Sequence, residues 1–201
     1  MPDSGFGNDM ALDANGGVYL TDSARPCIHY LAPGARQFQV WVEDERFDSK
    51  PIGLAGIART TNGVLIVNLF SDGKLFKLTP QPKGQPKVEA IPLKRSIENS
   101  DGMQFAPDGS LIVVEGAIAS GNGRLLRIKN ILTSEPEPKF IEVLAENLES
   151  PVNLTVAGRE IWVTESRIRH RLLPGREAAI PERFFIRHFT FADSDSLLPR
   201  P

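Results

Sequence analysis

Oxygen-bearing side chains stand at the head of two of four repeated segments in this 201-residue chain, Asn8 and Asp101, and a third, Asn153, lies one residue inside another. Carboxylate and amide oxygens so placed suit a hard cation such as calcium, which prefers six to eight oxygen donors. They equally suit hydrogen bonds to their own backbone, as Asp and Asn make in turns. The second segment has Ala55 at the corresponding place, and the fourth has Val152 one residue ahead of Asn153. Neither offers a ligand. A second set, Asp22, Asn68, Glu115 and Glu165, follows an apolar run in each segment. These residues are expected to satisfy backbone donors at strand ends or to face solvent, with the lining of a channel mouth as the other reading.

Other chemistries find little support. His29, His170 and His188 lack the HxxxH and HExxH spacings of zinc sites. Cys27, the single cysteine, excludes an internal disulfide and reads as a small buried hydrophobe within CIHYL. The glycine-rich ASGNGR at 119–124 precedes a strand and lacks the P-loop lysine, so it reads as a hairpin loop. No GxSxG nucleophile elbow occurs. The basic run RIRHR at 167–171, with Arg176 nearby, reads as a solvated outer strand. A net charge of −2 gives no global field for nucleic acid or an anionic membrane. No apolar run approaches the roughly 18 residues that span a bilayer. MPDSGFGND has no basic region followed by an apolar stretch, so the expected location is cytoplasmic.

The elements that must position these residues repeat. The segments are NDMALDANGGVYLTD from Asn8, AGIARTTNGVLIVN from Ala55, DGMQFAPDGSLIVVE from Asp101 and VNLTVAGREIWVTE from Val152. Strand-rich repeats of roughly 40–50 residues point to propeller blades. In each, a short run meets a turn, and Asn15-Gly16, Asn62-Gly63 and Asp108-Gly109 are strong hairpin signals because both turn residues need positive φ. Returning strands VYLTD, VLIVN, LIVVE and IWVTE are nearly continuous in apolar character, as in strands covered on both faces. Two more strands follow in each of the first three units: CIHYLAP and QFQVWVED, KLFKLTP and KVEAIPL, GRLLRIK and FIEVLAE. RIRHRLL and FFIRHFTF fill those roles in the last. Residues 1–191 read as one domain, and 192–201 as a polar, frayed tail.

NDMALDANGGVYLTDS, GLAGIARTTNGVLIVNLFSDGKLFKL, DGMQFAPDGSLIVVE, and SPVNLTVAGREIWVTES followed by FFIRHFTF together resemble the SMP-30/gluconolactonase family of six-bladed, calcium-dependent propellers. The resemblance covers roughly residues 6–191, in order. It implies an all-β propeller of that type, with about four four-stranded blades here and two N-terminal blades missing. It implies a channel calcium ion held by Asp101 and Asn8, with Asp101 also catalytic, and Asn8 and Asn153 facing substrate. The family's principal Asn ligand falls on Ala55, and its Glu would lie upstream of Met1. The activity implied is metal-dependent hydrolysis of a lactone or ester. The alternatives are a non-catalytic binding propeller or an inactive fragment with a degraded metal site. A homo-oligomer that completes the ring is a further expectation, because exposed strand edges template pairing.

Overall fold

A computed structural model describes residues 5–133, 137–175, 179, 182–191 and 197–199. They form four four-stranded antiparallel sheets in sequence order, the blades of an all-β propeller fold. The first blade is β1 (Gly7–Leu12), β2 (Val18–Asp22), β3 (Cys27–Leu31) and β4 (Gln39–Glu43). The second is β5 (Leu54–Arg59), β6 (Leu65–Leu69), β7 (Leu75–Thr79) and β8 (Lys87–Ile91). The third is β9 (Ser100–Phe105), β10 (Leu111–Glu115), β11 (Gly123–Ile128) and β12 (Glu142–Leu148). The fourth is β13 (Pro151–Ala157), β14 (Glu160–Glu165), β15 (Phe185–Phe191) and β16 (Leu197–Pro199). No helix among the described residues is long and apolar enough to cross a membrane.

The chain packs as two compact units, one of residues 1–100 with 134–138, the other of 101–133 with 139–201. In the first unit, Ile28, Val42 and Phe47 pack against Leu54, Ile57, Leu65, Val67 and Phe76. In the second, Ala106, Ile112, Val114 and Leu125 pack against Leu154, Ile161, Val163 and Phe189. Each core is therefore the seam between two consecutive blades. Side chains also bridge each seam. Asp9 of β1 accepts from the Ile57 N–H of β5 at 3.1 Å. Gln104 of β9 accepts from the Val156 N–H of β13 at 2.8 Å and donates to its carbonyl at 3.4 Å.

The apolar returning strands behave as expected in part. Every residue of β6 and β10 is buried. In β14 only alternate residues are, and Trp162 on the opposite face is 45% exposed, stacked on His188 with ring centroids 4.1 Å apart.

The last unit departs from the sequence reading. RIRHRLL does not form a strand: Arg167 takes φ 54°, which ends the extended run, and α1 (Arg169–Leu172) follows. FFIRHFTF is the third strand rather than the fourth, pairing with β14. The fourth is β16, within the tail expected to be frayed, where Leu197, Leu198 and Pro199 pair with β15. Nor is the basic run a solvated face. Arg169 Nε donates to the Ile118 carbonyl at 3.1 Å, and His170 Nε2 meets Glu149 Oε1 at 3.1 Å. Arg167 lies over the Phe185 ring. Arg176 lies outside the described residues.

The first hairpin carries its own titratable lock. Asp13 Oδ1 accepts from the Asn15 and Gly17 N–H groups at 2.7 and 2.8 Å, while the Tyr30 hydroxyl donates to Oδ2. The Tyr30 hydrogen bond holds the Asp13 carboxyl below its ordinary value, and the same bond pushes the Tyr30 phenol up to about 12. A carboxylate with a depressed folded pKa stabilises the fold above its unfolded pKa, near 4, and loses that contribution as pH falls through the lower folded value. The stability difference between the natural protein and Tyr30→Phe should therefore shrink on acidification from about pH 5 to about pH 2. Urea melts across that range read it, and a difference independent of pH would assign Tyr30 to packing alone.

Candidate functional site

The residues at the heads of the blades are set by strand starts and by what crosses each seam. In the first unit Asn8 is exposed on β1, and its amide Nδ2 donates to Ser23 Oγ at 2.9 Å. Ser23 Oγ in turn donates to the Leu54 carbonyl at 2.6 Å, and Thr21 Oγ1 to the Ala55 carbonyl at 2.6 Å. Ala55, where the resemblance expects an Asn ligand, is fully buried, with its carbonyl taken by Thr21. Next to Asn8, burial pushes the Asp9 carboxyl up even though the Ile57 and Met10 N–H groups pull it down.

In the second unit Asp101 is half-buried on β9 and Asn153 is exposed on β13. Asn153 Oδ1 accepts from the Leu154 N–H at 2.8 Å, and the Asn153 N–H donates to Thr164 Oγ1 at 3.2 Å. Gly102, the residue after Asp101, lets the two strands meet. A Cβ there would fall 2.4 Å from Asn153 Oδ1 and 2.7 Å from its Cα, closer than atoms approach. The glycine of the DGM run is thus required by the neighbouring blade, and the structure brings the Asp101–Gly102 backbone and the Asn153 amide together. Asn8 belongs to the other unit.

The strand-end set is buried rather than facing solvent, and it is spent on backbone donors, as one half of the sequence reading expected, and on basic partners, which it did not. Asp22 Oδ1 accepts from the Phe6, Ala24 and Arg25 N–H groups at 2.9, 3.0 and 3.2 Å. Burial raises the Asp22 carboxyl, but the Phe6 N–H and His29 outweigh it, and it lies below its ordinary value. Asn68 Oδ1 accepts from the Gly56 N–H at 2.8 Å and its Nδ2 donates to Ser100 Oγ at 2.8 Å. Glu165 accepts from the Glu149 N–H and from Arg187 Nε, both at 2.9 Å. Glu115 pairs with Arg124 at 3.3 Å.

One constellation has no linear signature. His29 Nε2 lies 3.1 Å from Asp22 Oδ2 and 3.5 Å from Cys27 Sγ. Cys27 is buried, as expected, and burial pushes its thiol up to about 11, which removes it as a nucleophile at neutral pH. The histidine spacings tested in the sequence run along one element, whereas these three residues sit on two paired strands.

The blades define a β-propeller fold. No known family profile matches the sequence, and no curated protein matches it. Solved structures do. Virginiamycin B lyase from Staphylococcus aureus superposes with a TM-score of 0.64 at 16% identity, covering 100% of this chain and 57% of that one. Regucalcin from Agrobacterium tumefaciens, described as a calcium-binding protein, gives 0.60 at 15% identity, with 92% and 61% covered. A gluconolactonase from Xanthomonas campestris gives 0.59 at 13% identity, with 79% and 54% covered. The chain spans little more than half the length of these propellers.

Proposed function

We propose that the chain is part of a gluconolactonase-like propeller whose site, at the heads of the inner strands, acts on a small lactone or ester. The observation that carries this reading is the apposition of the DGM strand and Asn153, held by a glycine that no side chain could replace. The propeller likenesses, which include a gluconolactonase and a calcium-binding regucalcin, support it.

The donors fit a hard cation in kind. Asp101 contributes a carboxylate, Asn8 an amide oxygen, and neither nitrogen nor sulfur competes at these positions. Asp101 would be a calcium ligand in the second unit and Asn8 a donor of the same kind in the first, and a bound ion would polarise a carbonyl oxygen and lower the pKa of bound water. Asp101 has the half-buried position from which a carboxylate orients a polar group at a strand head. Asn8 and Asn153, both exposed, can hydrogen-bond a ligand's ring oxygens. Ala55 favours a second reading, a non-catalytic propeller that binds a small ligand or a second copy of the chain, because a buried methyl replaces a metal ligand.

Calorimetric titration with calcium separates the two readings. We expect saturable binding with a dissociation constant of about 10⁻⁴–10⁻³ M, given so few protein oxygens. It should be abolished in Asp101→Ala, and lactone hydrolysis should fall with it. Absence of calcium binding by the natural chain would leave the binding-module reading. Binding unchanged in Asp101→Ala would remove Asp101 from the site.

A further inference from the structure

Antiparallel pairing sets Leu20 opposite His29 and Thr21 opposite Ile28, which brings Asp22 opposite Cys27 at the end of β2. Side chains alternate between faces along a strand, so Asp22, Cys27 and His29 share one face of the first blade. A carboxylate oxygen, a thiol sulfur and an imidazole nitrogen, all buried, then lie within 4.8 Å of one another. We propose that this cluster is a structural site for zinc or a similar borderline-soft divalent cation, separate from the blade-head site and independent of its function.

Two of the three edges suit it, and the third, Cys27 Sγ to Asp22 Oδ2, lies within 4.8 Å. Zinc takes sulfur at about 2.3 Å and nitrogen or oxygen at about 2.0–2.2 Å, so tetrahedral neighbours stand roughly 3.3–3.6 Å apart. His29 Nε2 is 3.5 Å from Sγ and 3.1 Å from Oδ2. Hydrogen bonding alone serves this triangle poorly. If Nε2 carries a proton it donates to Asp22 and gives the sulfur nothing. If it carries none, its single lone pair can accept from the thiol, and Asp22 Oδ2 is left without the imidazole as a donor. One cation at the centre engages all three atoms. Charge also balances, since a thiolate, a carboxylate and a neutral imidazole cancel two positive charges where isolated charge is costly. The S, N, O donor set selects zinc over calcium or magnesium, which take oxygens. Asp22 is oriented for ligation by three backbone N–H groups on its other oxygen, the outer-shell support that metal ligands use. Side-chain exposures of 0% for Asp22 and 1% for His29 make the site a staple between β2 and β3 rather than a place for substrate. Among the described residues the group comprises these three donors, leaving a fourth position to water or a backbone oxygen.

The test uses the full chain without an affinity tag, refolded with Co²⁺ or Zn²⁺ because the site is closed in the folded state. Stoichiometric cobalt should give a thiolate-to-metal charge-transfer band and the visible bands of tetrahedral Co²⁺. Zinc should raise the melting temperature. Cys27→Ser should lose the charge-transfer band, and His29→Gln should weaken zinc binding by more than the roughly 10–100-fold that loss of an outer-shell partner costs. X-ray absorption on the zinc-loaded natural protein needs no variant to fold, and one sulfur at about 2.3 Å with lighter ligands at about 2.0 Å is expected. No stoichiometric metal after refolding, a zinc shell without sulfur, or equal binding by Cys27→Ser would overturn the proposal.

Discussion

Asp22→Ala is expected to cost about 3–5 kcal/mol in urea denaturation with chelator present, enough to unfold a marginal domain. The carboxylate is fully buried, and one oxygen satisfies the Phe6, Ala24 and Arg25 N–H groups together. Alanine strands all three donors, in bonds that are part-buried, and a fully buried unpaired group costs about 1–3 kcal/mol. Not all of that sum is realised, because the turn after β2 can relax. Asp22→Asn keeps an acceptor oxygen for the N–H groups and should lose less than half as much. A loss under about 1 kcal/mol for the alanine variant would mean that water replaces the carboxylate at no real cost.

Gly73→Ala should be nearly as damaging, at about 3 kcal/mol or more. Gly73 has φ +65°, where a Cβ is disfavoured by about 1 kcal/mol. The larger penalty is contact, because that Cβ would stand 2.1 Å from the Ile97 carbonyl oxygen and 2.6 Å from its nitrogen. Both atoms are backbone, and Ile97 is fully buried, so neither side yields without moving the loop before β9. Gly109 is the control: it has φ +82° with nothing within 4 Å of its would-be Cβ. Gly109→Asn, a residue that tolerates positive φ, should change stability by under about 0.5 kcal/mol. Equal losses at the two positions would refute a steric role for Gly73.

Blade number, and strand order in the first three blades, were legible because turn chemistry is local. Gly16, Gly63 and Gly109 take the expected positive φ, but Asn15, Asn62 and Asp108 do not, so the hairpins form without the second left-handed residue that the pairs predict. RIRHRLL was misread because Arg-Ile-Arg alternation imitates a strand. Its arginine and histidine instead reach carbonyl and carboxylate partners distant in sequence, which no local period reveals. The strand-end carboxylates were placed correctly, since a polar residue closing an apolar strand meets the donors that the sheet leaves open. Asp101 and Asn153 were legible as residues, but the need for Gly102 was not, because it exists only once β13 lies against β9. Asp22, Cys27 and His29 escaped for the same reason: cross-strand register joins them, and linear spacing does not.

Asp9 and Gln104 perform one task with different letters. Each reaches from the first strand of a blade to backbone in the first strand of the next, one with a carboxylate and the other with an amide. What the two seams share is a reach and one accepted N–H, and a carboxylate or an amide of suitable length supplies it. The fold's likeness is carried by the hydrogen bonds that span neighbouring blades, and a comparison of identities at single positions does not register them.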